Sequence, residues 1–144
     1  MKIAIGSDHA GYDLKLIVMD YLGVNGFDIV DAGCKSSTSC DYPRFAHDVC
    51  ELIMKGEAPL GILICGTGIG MSMSANRYKG IRAALCANEY HAKMSRAHND
   101  ANILCLGSRV IGSELALSIV AAWLNSNFEG DRHLRRVNLI DELS

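Results

Sequence analysis

The chain has 144 residues, 49% of them hydrophobic and 21% charged, with a net charge of −2. That length suits one domain with a proper core, expected over residues 1–144. The balance of charge excludes a general attraction to nucleic acid or to an anionic membrane, so neither is expected as a partner and any bound anion must be held by a local cluster.

No run approaches the roughly 18 apolar residues of a membrane span. The opening Met1-Lys2-Ile3-Ala4-Ile5-Gly6-Ser7 is too short an apolar stretch for a signal peptide. A cytoplasmic location is therefore expected. Six cysteines are present, without a C-x-x-C pair, and nothing suggests a disulfide framework. Cys65, Cys86 and Cys105 close apolar runs. Cys86 and Cys105 read as small buried hydrophobes, and Cys65 is the exception argued below.

In chain order, apolar runs at 2–6, 27–30, 60–65, 82–86 and 102–106 predict five strands. Their nearly continuous apolar character is that of parallel strands covered on both faces. Between the first two, Leu14, Ile17, Val18, Tyr21 and Leu22 keep helical spacing up to Gly23. Phe45, Val49, Leu52 and Ile53 repeat it between Pro43 and Gly56. Further helices are expected at 71–76, 89–97 and 113–124. The alternation predicts a three-layer α/β/α sandwich with a five-stranded parallel sheet, doubly wound and Rossmann-like. Strand order does not follow from the pattern. The helix at 113–124 is apolar nearly all round, from Leu115 to Trp123 and Leu124, so it is either unusually buried or packed on another subunit. A dimer interface is expected there.

Ligands of open α/β sheets bind beyond the carboxyl ends of the strands. Loops 7–11, 31–43, 65–70 and 107–109 qualify, and 96–100 is a further polar concentration. Gly6 and Gly11 have P-loop spacing, but Tyr12 and Asp13 replace the required Lys and Ser or Thr. Asp8 and His9 also break the dinucleotide fingerprint. Asp8 reads equally as a helix cap or as a functional acid beside His9.

Gly66-Thr67-Gly68-Ile69-Gly70 is the stronger signal. Glycines at alternate positions between a buried strand and a helix expose successive backbone N–H groups, a nest for phosphate or a developing enolate. A tight turn alone explains one glycine easily and three poorly. Cys65 precedes the nest, whose dipoles favour its thiolate as nucleophile or base. Cys65, His98 and Asn99 are thus also a possible Cys-His-Asn hydrolase set. His91 and His98 share a helical face, but two histidines make a poor metal site.

The tail Arg132-His133-Leu134-Arg135-Arg136 is cationic, and on a helix Arg132 and Arg136 share a face suited to a phosphate. Arg109 is a third candidate.

Taken in order, Gly6-Ser7-Asp8-His9-Ala10-Gly11, Asp41-Tyr42-Pro43, Ile64-Cys65-Gly66-Thr67-Gly68-Ile69-Gly70, Gly80-Ile81-Arg82-Ala83, Ser95-Arg96-Ala97-His98-Asn99-Asp100 and Gly107-Ser108-Arg109-Val110 resemble the ribose-5-phosphate isomerase B family, which includes galactose-6-phosphate and allose-6-phosphate isomerases. The resemblance covers the whole chain. It implies an α/β/α sandwich that dimerises, sometimes to tetramers, with sites shared between subunits. It implies interconversion of ribose 5-phosphate and ribulose 5-phosphate in the non-oxidative pentose phosphate pathway. Cys65 would be the base at C2, Gly66, Thr67, Gly68, Ile69 and Gly70 the anion hole, and His98 the ring-opening acid. Asp8 and Asn99 would contact sugar, with His9, Arg109, Arg132 and Arg136 around the substrate and its phosphate, and Tyr42 a further contact. Where one branch carries a glutamate base, Met71 stands here, which matches the cysteine branch. His98, Asn99 and Arg109 are expected to reach Cys65 from the partner subunit.

The chemistry is coherent on its own terms: a base at C2, an enediolate hole, a ring acid and a phosphate clamp. No metal or redox cofactor is expected. A hexose phosphate substrate, a cysteine hydrolase and a non-catalytic phosphate-binding module are the alternatives.

Overall fold

The computed structural model describes residues 1–143. The elements are β1 (Lys2–Ser7), α1 (Tyr12–Val24), β2 (Asp28–Asp31), α2 (Tyr42–Met54), β3 (Leu60–Cys65), α3 (Ile69–Ala75), β4 (Ala83–Leu85), α4 (Glu89–Ala97), β5 (Ile103–Gly107), α5 (Ser113–Leu124) and α6 (Arg132–Glu142). All strand pairs are parallel and the order is β2-β1-β3-β5-β4. From β1 the chain winds outward to β2, crosses back to β3, and then builds β4 and β5 on the other side. The winding reverses between β1 and β3, which makes the crevice at their carboxyl ends the expected ligand site.

Period-two alternation sorts the continuous apolar strands onto two faces. Ile3, Ile5, Ile62, Ile64, Leu104 and Leu106 face α1, α4 and α5. Ala4, Leu63, Cys65, Ile103 and Cys105 face α2 and α3. Cys65 thus points into the α2–α3 layer. Cys86 and Cys105 are buried core residues.

Helix α5 lies between α1 and α4. Ala116, Ile119, Val120 and Trp123 are buried there, and Leu117, Ala122 and Leu124 pack against the same core. Most of its apolar surface is thus covered within one subunit, while Leu115 stays 36% exposed. β4 is one of the two outer strands, and the Asn76 side chain stands in for a neighbour: Nδ2 donates to the Ala83 carbonyl at 2.9 Å and Oδ1 accepts from the Ala83 N–H at 2.8 Å. Helix α6 stands largely outside the sandwich. Only His133 and Val137 are buried on it, and the Gly80 N–H donates to Asp141 near its end at 3.0 Å.

Candidate active site

Register places Ser7 beside Ile64, so the β1 and β3 carboxyl ends open side by side. Cys65 closes β3 and is 5% exposed. The Gly68 N–H donates to its Sγ at 3.1 Å. An N–H aimed at sulfur stabilises negative charge there, as a proton-abstracting thiolate requires. The Ile69 N–H donates to Thr67 Oγ1 at 3.3 Å. The Gly70 and Met71 N–H groups lie in the first turn of α3, where the helix supplies no acceptor.

Each glycine of the loop has its own packing reason. A Cβ on Gly66 would sit 3.3 Å from Arg109 Cδ. Gly68 has φ +76°, and its Cβ would meet Leu106 backbone at 3.0 Å. At Gly70 a Cβ would lie 2.7 Å from Tyr42 Cζ. Backbone conformation requires only Gly68, as the tight-turn reading allowed, and packing accounts for the other two. The glycines let an arginine and a tyrosine lie directly on the loop.

Asp8 is 7% exposed, and its Oδ1 accepts from the Ala10 and Gly11 N–H groups at 2.9 and 3.0 Å. It closes the turn ahead of α1 and is not the helix cap that one sequence reading held, since the N-cap position is Gly11 and carries no side-chain cap. His9 Nδ1 accepts the Cys40 N–H at 3.3 Å, which leaves Nε2 to carry the ring proton. Arg109 lies against Gly66 of its own chain, and its N–H donates to the Gly66 carbonyl at 2.9 Å. Arg109 therefore belongs with Cys65 in one subunit, contrary to the expectation that it comes from the partner. Ser108 has a part that its place in the 107–109 loop did not reveal. Its hydroxyl donates to the Ala10 carbonyl at 2.7 Å and lies 3.2 Å from that of Cys65, which ties three strand-end loops together.

A second group forms around α6. The His98 and His133 rings stack at 4.2 Å with 10° between planes. Their Nε2 atoms lie 3.8 and 3.6 Å from Glu129 Oε2. The partner of His98 is thus His133, not His91. Among the described residues these three are the group able to offer ligands to a metal. Parallel stacked imidazoles direct their lone pairs side by side, a poor fit to the convergent geometry that zinc requires. Burial lowers the His133 pKa, and the neighbouring His98, Arg132 and Arg136 charges add to that against Glu129. His98, Asn99, His133 and Arg136 line a cavity of about 240 Å3, and Arg132 borders the adjoining hollow with Glu129 and His133. Behind them, Asp100, at φ +46°, binds Arg82 at 2.8 Å and Arg96 at 3.2 Å.

The two groups lie at opposite ends of the sheet. α4 ends at His98 and delivers the chain to the amino end of β5, where the Asn102 carbonyl accepts the Gly61 N–H. Cys65 lies at the far end of β3, beside Gly107. Four residue steps separate Gly61 from Cys65, roughly 13 Å along the strand. Within one chain Cys65 is therefore not brought together with His98, Asn99, Arg132 or Arg136, and no Cys-His-Asn set is assembled.

The sheet is doubly wound, with the cysteine–glycine loop at its switch point. Residues 3–140 match the Ribose/Galactose Isomerase family. The chain is 49% identical over 139 residues to ribose-5-phosphate isomerase B of Escherichia coli (strain K12), covering 96% of this chain and 93% of that protein. The solved structure of Clostridium thermocellum ribose-5-phosphate isomerase B superposes with a TM-score of 0.98 at 53% identity, covering 99% and 97% of the two chains. That of the Thermotoga maritima ribose 5-phosphate isomerase gives 0.96 at 52% identity, covering 98% and 97%. The chain belongs to the ribose/galactose isomerase family.

Proposed function

We propose that the chain is an aldose–ketose isomerase interconverting ribose 5-phosphate and ribulose 5-phosphate through an enediolate, in the cytoplasm and in the non-oxidative pentose phosphate pathway. The observation that carries the reading is Cys65 Sγ held by the Gly68 N–H at the β1–β3 switch point, under Arg109. Relatives named ribose-5-phosphate isomerase B support it over nearly the full length.

In this mechanism His98 donates a proton to the ring oxygen and opens the sugar. Cys65 takes the C2 proton, and the charge that develops on O1 falls on the N–H groups of the glycine loop, with Thr67 assisting. The O2 hydroxyl proton passes to O1 and the Cys65 proton returns to C1, which leaves the carbonyl at C2. Asp8, His9 and Asn99 orient hydroxyls, and Arg109, Arg132 and Arg136 hold the phosphate, whose binding energy positions the reacting carbons. No step requires a metal or redox cofactor.

Because Cys65 and His98 lie at opposite sheet ends, one site can hold both groups only if a second subunit supplies His98, Asn99, Arg132 and Arg136. A homodimer with two shared sites satisfies this, and pairing of dimers to a tetramer is compatible with it. The sparsely packed α6, with Leu134 and Ile140 about half exposed, is the element suited to lie on the partner.

A proton NMR spectrum of the protein with ribose 5-phosphate in deuterated water tests the reaction. Ribulose 5-phosphate and C2 deuteration are expected together, and an unchanged spectrum rejects the isomerase. Side-by-side kcat/KM with allose 6-phosphate tests the sugar, and a large preference for the hexose overturns the pentose assignment.

A further inference from the structure

Two thiols beside the candidate site take no part in that mechanism. Cys34 is buried, with Sγ 3.8 Å from Ser7 Oγ and 3.0 Å from the Ser36 carbonyl. Its N–H donates to the Ser7 carbonyl at 2.8 Å. Cys40 is half-buried, its Sγ 4.0 Å from His9 Nδ1, and its N–H donates to the same ring nitrogen. Ser7 and His9 stand two positions apart at the end of β1, so both sulfurs are moored to one short stretch of backbone. The thiols are near enough to interact: burial first, then the proximity of Cys34, raises the Cys40 pKa. Between them residues 35–39 are exposed and outside any helix or strand. This segment can absorb the small shift that brings two Cβ atoms to the separation of about 3.5–4.5 Å a disulfide needs.

We propose that Cys34 and Cys40 are a modification site, a dithiol that closes to an intramolecular disulfide by exchange with a low-molecular-weight disulfide and thereby disables the neighbouring site. The Cys40 thiol, the more accessible of the two, gives up its proton and attacks one sulfur of oxidised glutathione, forming a mixed disulfide and releasing one glutathione thiolate. The Cys34 thiolate then attacks Cys40 Sγ and expels the second. The protein pair is oxidised by two electrons, glutathione disulfide is reduced by two, and the two thiol protons pass to solvent. A reducing poise keeps the pair open, and an oxidising one closes it. Closure draws Cys40 toward Cys34 and away from His9. It also pulls on Tyr42, two residues on, whose ring lies over Gly70. Displacement of that order in a positioned site costs about ten-fold or more in rate.

The loss of activity rests on the isomerase reading, whereas the disulfide does not. The full-length reduced protein is equilibrated with oxidised glutathione and digested with trypsin, which cuts after Lys35 and Arg44 and separates the two cysteines. A linked 16–35/36–44 peptide is expected, together with a fall in kcat/KM of about ten-fold or more that dithiothreitol reverses. Cys40→Ser should be active when reduced, give no linked peptide and lose activity far more slowly. The mixed disulfide on Cys65 is counted separately by mass. The proposal is overturned if Cys65 or Cys40 carries glutathione while no linked peptide forms, if the linked protein keeps full activity, or if Cys40→Ser is inactivated as fast as the parent. A reduced parent without activity rejects the isomerase instead, and the linked peptide then stands on its own.

Discussion

The Tyr42 ring lies against the Cα of Gly70, so close that a Cβ there would stand 2.7 Å from Cζ, nearer than side chains approach one another. This contact joins the start of α2 to the start of α3 and fixes the entrance of the glycine loop. Alanine at each loop glycine should therefore be graded by what it strikes. Gly68→Ala combines positive φ with backbone contact and should be worst, its conformational strain alone costing about 1–3 kcal/mol. Gly70→Ala should be intermediate and partly relieved in the Tyr42→Ala background. Gly66→Ala meets only the mobile Arg109 side chain and should be mildest in Tm. Melting temperatures and kcat/KM of the four proteins check the order.

Cys65→Ala should lose isomerisation and C2 exchange by about 10²–10⁴-fold, the span of one general base, with substrate affinity nearly kept. Single-turnover exchange and a binding titration separate the two. Near-normal turnover removes Cys65 as base.

Burial pushes the Cys86 thiol up to about 11 and Cys50 up to about 12, and raises the wholly buried Cys105 well above its usual value. These three remain protonated at neutral pH and should resist iodoacetamide. Cys65 should label first, and ribose 5-phosphate should protect it. Peptide mapping at early times decides this, and equal labelling of Cys65 and Cys86 counts against the thiolate role.

A chain with Cys65→Ala and a chain with His98→Asn should each be nearly inactive. If the proposed shared-site dimer holds, co-expression gives heterodimers in which both defects fall in one site and the other site is intact. Partial recovery of activity is the expected result. Heterodimers as inactive as either parent place Cys65 and His98 in a single subunit and remove the shared site.

Burial leads the effects that hold the His133 pKa below the usual imidazole value of 6.5. The unfolded chain therefore takes up that proton more readily than the folded one. This contribution to stability is present above the unfolded value and is lost as pH falls below it. Urea midpoints at about pH 7.5 and about pH 5.5 should draw apart more for the parent than for His133→Gln. Equal separation rejects the assignment.

What the sequence disclosed was local. β3 at 60–65 and α4 at 89–97 matched their boundaries, the latter because Asn88 caps it by accepting the His91 N–H. β4 came out shorter than 82–86. Arg82 gives its N–H to the Asn102 side chain and its Nε to the Asp100 carbonyl, outside the ladder. Cys65 and its loop were legible because a contiguous motif built them. The link from Ser108 to Ala10 and the closeness of Cys40 to His9 were not, since both depend on which strand ends meet. Strand order, with the distance it puts between Cys65 and His98, is likewise a property of long-range pairing. α5 was ambiguous because apolarity shows that a face is covered without saying by what.

The pairing of Asn76 with Ala83 decides how copies of this chain are able to meet. Exposed outer strands ordinarily invite another strand to extend the sheet, the route to open-ended polymers. Here a carboxamide already occupies both backbone groups of that position. At the β4 edge, copies can therefore meet only through helices and loops and not by adding a strand at this position. Asn76→Ala would free both Ala83 backbone groups and should make self-association rise with protein concentration, which light scattering would read.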